Sequence, residues 1–216
     1  MNTFPAKAAP DRYSEAQIPA EIIFQQSADA VFLLETFDVA GVSIRTGSGF
    51  FISDSGFAVT NLHVLDNAAS ASITLYNGEI YPVKGVHALS EEFNLVIISI
   101  DSDNSDWDYL TFADSDLIET GNSVYVIGSP LGFINTMSAG IISNTRRDIA
   151  NESLIQFTSP ISFGSGGSPL LNTRGQVIGV TSSSFSYGQN LNLAVPINNV
   201  KTMEPDEGVT LDSLLR

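Results

Sequence analysis

Short runs of β-branched and aromatic residues, broken by turn formers roughly every eight to twelve positions, constrain this chain more than any other feature. Val31–Glu35 and Gly41–Ile52 are interrupted at Asp38, Gly47 and Gly49, and Ser53-Asp54-Ser55-Gly56 is a turn before a buried strand, Phe57–Thr60, that leads to His63. Ser72–Leu75, the Asn77-Gly78 turn and Ile80–His87 predict a hairpin, and Leu95–Ile100 adds a strand that is apolar except for Ser99. The second half repeats the style in Ser123–Ile127, Met137–Asn144, Leu154–Phe157, Ser168–Leu171, Val177–Ser183 and Leu191–Val195. No long helical period interrupts these runs, so the expected class is all-β, with sandwich and barrel both open on pattern alone. Helices are expected only as short pieces, in Pro19–Asp29 and Asn198–Met203.

With 216 residues and 43% hydrophobic content, the chain can bury one large core or two small ones. Asp101–Asp108 holds four aspartates and two serines around Trp107, which marks the start of a connection between two units. The division expected is an extended arm 1–19 with three prolines, a first unit 20–108, a second unit 109–200 and a tail 201–216.

Charge and composition exclude several functions. Twenty-four acidic residues against nine basic ones, a net charge of -15, leave no lysine and arginine cluster for nucleic acid phosphates. No cysteine is present, which removes disulfides, thiolate nucleophiles and thiolate metal sites. Apolar runs are strand-sized, so no membrane span and no signal peptide is expected. The default expectation is therefore a cytoplasmic protein, or an exported one if a leader has been removed. His87, in a strand, is the only histidine besides His63, and Asp101-Ser102-Asp103-Asn104 lacks the glycine and terminal glutamate of a helical calcium loop. Neither a metal nor a cofactor is expected.

One stretch asks for a chemical explanation. In Ile155–Asn172 two apolar runs flank Gly164-Ser165-Gly166-Gly167-Ser168, residues too small to fill space, where tightly bent backbone can present N–H groups or a hydroxyl. Together with Thr60-Asn61-Leu62-His63-Val64 and Leu191–Pro196, this stretch resembles the trypsin-like serine proteases, in particular their bacterial HtrA/Deg-like branch. The family pattern is a Thr-Asn-x-His-Val histidine, an Asp-Leu-Ala aspartate and a Gly-x-Ser-Gly-Gly-Pro-Leu nucleophile turn, and the resemblance runs from about Val31 to Pro196. It implies two perpendicular six-stranded Greek-key β-barrels, 20–108 and 109–200, with a cleft between them. The ligand implied is a peptide or an unfolded or partner protein segment, with oligomeric state undefined. Only Lys201–Arg216 follow the protease-like part, so a peptide-sensing PDZ domain of the Deg kind is not expected.

The chemistry of this family needs a serine hydroxyl, a histidine base, a carboxylate that sets the imidazole tautomer, and backbone N–H donors for the oxyanion. His63 falls on the base position. Asn94, thirty-one residues later in Glu92-Phe93-Asn94-Leu95-Val96, stands where the family has its aspartate. An amide there can donate to the ring, hold the wrong tautomer and supply no charge. Aligned without gaps on either side, the nucleophilic serine falls on Gly166, which has no nucleophile. Ser165 is the candidate rescue, but it requires Ser168 to be inserted and puts Phe163 at the oxyanion glycine. Unshifted, Ser165 lies one Cα step, about 3.8 Å, from the required position, where a misplacement of about 1 Å can already cost 10²-fold.

Gly164 and Gly166 match the two oxyanion donors, whether as a relic, as a cradle for a peptide carbonyl or C-terminal carboxylate, or merely as turn formers. By the same resemblance Val180–Ser184 is the edge that pairs with substrate, giving Ile161, Val180, Thr181 and Ser182 as substrate-binding residues, with Phe185 and Tyr187 as loop anchors. The leading expectation is a catalytically inactive homologue retained for peptide or protein binding. The alternatives are an active endopeptidase using Ser165 and His63 in a reshaped turn, and an assembly module whose cleft is filled by its own loops or arm.

Overall fold

The computed structural model of the protein describes residues 17–102, 106–149, 152–182 and 191–214. Most of the expected arm, Asp103 and Asn104, and the loop with Phe185 and Tyr187 lie outside the described residues.

Six strands come from the first unit: β1 (Val31–Phe37), β2 (Ser43–Phe51), β3 (Phe57–Asn61), β4 (Ser70–Thr74), β5 (Ile80–Ser90) and β6 (Leu95–Ile100). They pair antiparallel in the order β1-β2-β3-β6-β5-β4, and β4 returns to β1 to close a barrel. Six more come from the second: β7 (Ser123–Gly128), β8 (Thr136–Ile149), β9 (Glu152–Phe157), β10 (Pro169–Leu171), β11 (Val177–Ser182) and β12 (Asn192–Pro196). Their order, β7-β8-β9-β12-β11-β10, repeats that of the first barrel, with β10 closing onto β7. Closure settles the choice between sandwich and barrel, and it removes the unpaired edges an open sheet would expose.

The apolar runs are continuous because many strands are buried on both faces. Side chains alternate across a strand, and here each face meets a different core. In β6, Val96 and Ile98 fill the first barrel with Phe32, Leu34, Phe51 and Ile73, while Leu95 and Ile97 face the second barrel. In β12, Ala194 fills the second barrel with Val126, Phe157 and Ile178, while Leu193 and Val195 face the first. The shared core runs through Val31, Phe50 and Val59 on one side and Ile127, Leu171 and Val177 on the other. This apolar interface fixes the two barrels against each other, so side chains from both form one cleft. Trp107 anchors the connection: it is buried in the first barrel, stacked on Phe51 at 4.6 Å and edge-on to Tyr81 at 5.1 Å.

Two elements depart from pattern. β8 runs five residues past Asn144 because its register with β9 shifts on both sides of that residue, and the extension Thr145–Ile149 is polar and half-exposed, so alternation does not announce it. Each terminal segment also packs across the molecule. The helix α1 (Ala20–Ser27) joins the shared core through Ile23, and its neighbour Ile18 donates its N–H to Thr173 O of the second unit at 3.0 Å. After the closing helix α2 (Ile197–Lys201), the tail crosses to the first barrel, where Val209 exchanges two 2.8 Å backbone bonds with Val86 and Leu211 is buried. His87 serves this docking: Nδ1 donates to Asp206 O at 2.9 Å, so Nε2 accepts from Ser99 Oγ at 2.8 Å.

Candidate active site

His63 sits in a 3-10 turn, Leu62–Val64, at the end of β3, and Asn94 in the turn between β5 and β6. Asn94 has φ +51°, a left-handed backbone that asparagine and aspartate adopt more readily than most residues. Its carbonyl accepts from Leu62 N–H at 3.0 Å and from the Asn61 amide at 3.3 Å. Its side chain spans two atoms of His63. Oδ1 accepts the backbone N–H of His63 at 2.9 Å, and Nδ2 lies 2.8 Å from the ring Nδ1. Since a backbone N–H can only donate, the amide oxygen is fixed on that side and its NH2 on the ring. Nδ1 is then an acceptor, so the proton of neutral His63 resides on Nε2.

The turn Ser162–Ser168 joins both barrels. Ser48, on β2, donates its N–H to Gly166 O at 2.8 Å and its hydroxyl to Gly164 O at 2.7 Å, while accepting from Ser129 N–H at 2.8 Å. After the turn, Pro169 pairs with Val180 and Leu170 with Gly179, and the register shifts before Leu171. The Ser165 side chain is 3% exposed, and its Oγ accepts from Ser162 N–H at 3.2 Å; it forms no hydrogen bond with His63. Ser168 is fully buried beneath the turn.

Two N–H groups of this turn, those of Gly164 and Gly166, donate to no atom of the described residues. Their directions are set by the preceding carbonyls. Phe163 O accepts from Leu131 N–H at 2.7 Å, and Ser165 O accepts from Thr181 Oγ1 at 2.5 Å and Ser168 N–H at 3.2 Å. In a planar trans peptide the N–H points opposite to the C=O, so both donors project away from these anchors. Gly164 has φ +89°, and a Cβ there would stand 2.8 Å from Ser129 O, which makes glycine the residue the position admits. A buried donor left unpaired costs about 1–3 kcal/mol, so a ligand acceptor at Gly166 would recover that cost.

A cleft of about 510 Å³ opens beside these groups, lined by Ser43, Ile44, Arg45 and Thr46 of β2, by His63 and Val64, and by Phe163 and Gly164. Phe163 is 82% exposed, and Arg45, also exposed, donates from Nη1 to Asp66 O. The four residues expected to contact substrate are placed differently. Val180 and Thr181 are fully buried; Val180 belongs to the shared core, and the Thr181 N–H and C=O are bonded to Ser168 O and Gly167 N–H. Ser182 is buried in its pairing with Leu193, and Ile161 is half-buried against the second core.

Residues 47–180 match the family model described as the trypsin-like peptidase domain. The chain belongs to the trypsin-like peptidase family.

Among relatives of this family the chain is 32% identical over 165 residues to the putative serine protease HhoA of a Synechocystis species, an overlap of 73% of this chain and 42% of that protein. It is 39% identical over 144 residues to a probable periplasmic serine endoprotease, DegP-like, of Chlamydia pneumoniae, covering 65% and 29%. It is 33% identical over 167 residues to serine protease HTRA1A of Danio rerio, covering 74% and 34%. The chain thus spans between 29% and 42% of the length of these curated relatives. An HtrA-type protease, an AlgW variant solved with a tripeptide, superposes with a TM-score of 0.76 at 28% identity, over 85% of this chain and 62% of that one. Within the trypsin-like peptidases, the chain falls with the HtrA/Deg-like branch.

Ser48 and Arg45 escaped sequence reasoning. Gly47-Ser48-Gly49 reads only as strand punctuation, and no local pattern says that Ser48 will hold a turn more than a hundred residues away. The trypsin-like histidine itself is measurable. Burial, the largest cause, lowers the His63 pKa from its ordinary 6.5; an Asn94 hydrogen bond raises it only with the amide oxygen on the ring, the Asp66 charge raises it, and Arg45 adds to the lowering. Protonating Nδ1 would also set two N–H groups against each other across 2.8 Å. Nitrogen-15 NMR is therefore expected to find the proton on Nε2 and a titration midpoint below 6.5. The unfolded chain then takes up the proton first, so this residue's contribution to stability is complete above 6.5 and declines as pH falls toward the folded midpoint. A proton on Nδ1 at neutral pH would refute the amide orientation.

Proposed function

We propose that this protein uses a trypsin-like peptidase fold to bind a peptide, or an extended segment of a partner protein, without cutting it. The observation that carries this reading is the Ser165 hydroxyl, which accepts from Ser162 N–H instead of bonding His63. Three further features support it. Gly166, whose carbonyl is held by Ser48 of the opposite barrel, has no side chain to attack with. His63 carries its proton on Nε2, the nitrogen that a general base needs bare. Asn94 supplies no negative charge to an imidazolium.

Peptide is the ligand of choice because the cleft is open and lined by Gly164, whose N–H has no acceptor among the described residues, and because an HtrA-type relative of the same fold was solved with a tripeptide. Cutting through Ser165 would require its hydroxyl to leave Ser162 and His63 to exchange tautomers, and both changes break bonds now made. The purified protein is expected to take no label from a serine-reactive fluorophosphonate and to leave unfolded casein intact. Labelling that disappears in Ser165→Ala would overturn the reading in favour of a working endopeptidase.

A further inference from the structure

Several hydrogen-bond donors are gathered at and beside the cleft. Among the described residues the N–H groups of Gly164 and Gly166 have no acceptor, and Gly164 shares the cleft with His63 and with Arg45, an exposed cation. The acceptors that acyl transfer would need there are missing: Gly166 has no hydroxyl, and the bond from Asn94 to Nδ1 makes the outer nitrogen of His63 a donor instead of an acceptor. An internal peptide bond brings one neutral carbonyl oxygen to such donors. A carboxylate brings two oxygens and a full charge, and charge-assisted hydrogen bonds are roughly twice as strong as neutral ones.

We propose that the cleft recognises the free C-terminus of a peptide, its carboxylate seated on the Gly164 and Gly166 N–H groups and turned toward Arg45. This rests on the reading of the cleft as a peptide site that does not cut, and it names which part of the peptide is read. The chain's net charge of -15 opposes any anion at long range. At physiological salt that field is screened beyond about 8 Å, so the donors lining the cleft decide the encounter. Backbone N–H groups presented from a tight turn form the kind of concavity that takes anions in other folds.

The test is fluorescence anisotropy with an N-terminally labelled pool of short peptides ending in valine, chosen for the apolar Ile44 and Val64 in the cleft lining. The pool is made as free acids, as C-terminal amides, and with further residues added past the valine. The free acids are expected to bind at least about tenfold more tightly than the amides, which is about 1.4 kcal/mol. Arg45→Gln, an exposed substitution that leaves the fold alone, is expected to narrow that gap by weakening the free acids. Equal affinity of all three forms would overturn this inference while leaving the peptide-binding reading standing. Binding of none of them would overturn both, and release of the added residues would overturn the non-cutting reading and this one with it.

Discussion

Gly166→Ser combined with Asn94→Asp is expected to react with fluorophosphonate and to digest casein, where the native protein is expected to do neither. Gly166 is not among the glycines with positive φ, so its backbone accepts an L residue. Asn94, at φ +51°, is in a region that aspartate also visits. The aspartate would keep one oxygen on His63 N–H and bring the other to Nδ1, where the amide nitrogen now lies at 2.8 Å. Nδ1 would then carry the proton and leave Nε2 as the acceptor that a serine hydroxyl needs. In the serine-protease template, asparagine in place of the aspartate costs about 10⁴ in turnover. Gly166→Ser alone should therefore label far more slowly than the pair, and Asn94→Asp alone not at all. If the double variant melts like the native protein yet stays unlabelled, the surrounding shell is not competent and the account of what was lost is incomplete.

Gly167→Ala is expected to be the most destabilising single methyl in the turn. Gly167 has φ +87°, and a Cβ there would lie 2.1 Å from Ser48 O and 2.6 Å from Thr60 Oγ1. Neither atom can retreat cheaply, because Thr60 Oγ1 donates to Ser48 O at 2.7 Å and both belong to paired strands of the first barrel. Left-handed backbone strain and overpacking together cost roughly 2–5 kcal/mol, a large part of the 5–15 kcal/mol typical of a whole domain. Urea unfolding would show the unfolding free energy lowered by that amount, read as a lower midpoint at unchanged slope. An unchanged midpoint would mean that the two barrels do not meet at this turn as tightly as described.

The assignment of Asn94 and Gly166 to the aspartate and serine positions rests on the sequence, where each sits inside a run of neighbours that resembles the family pattern. Asn94 stands between Phe93 and Leu95-Val96, and Gly166 lies in a stretch that stays in register from Ile155 to Asn172. The orientation of the Asn94 amide was not legible, since it depends on where the His63 N–H points after the 3-10 turn. The surroundings of Thr181, on the expected substrate edge, were not legible for a similar reason. A polar residue near the end of a strand reads as available, but both its backbone groups are taken by the turn that crosses over it. Ser182 likewise looks open in sequence and is closed by Leu193.

Local pattern determined the strands, the turns and the all-β class of this protein, because alternation and punctuation act over a few residues and need no knowledge of distant partners. It was the resemblance to the trypsin-like serine proteases, and not this pattern, that singled out His63, Asn94 and Gly166 as a candidate site. Tertiary structure alone decided that the Ser165 hydroxyl turns to Ser162, that Ser48 and Arg45 belong to the cleft, and that the terminal segments cross over, with α1 joining the core the barrels share and the tail docking on the first barrel. Those outcomes depend on contacts between residues far apart in the chain, which the packing of two barrels brings together and no short window of sequence contains.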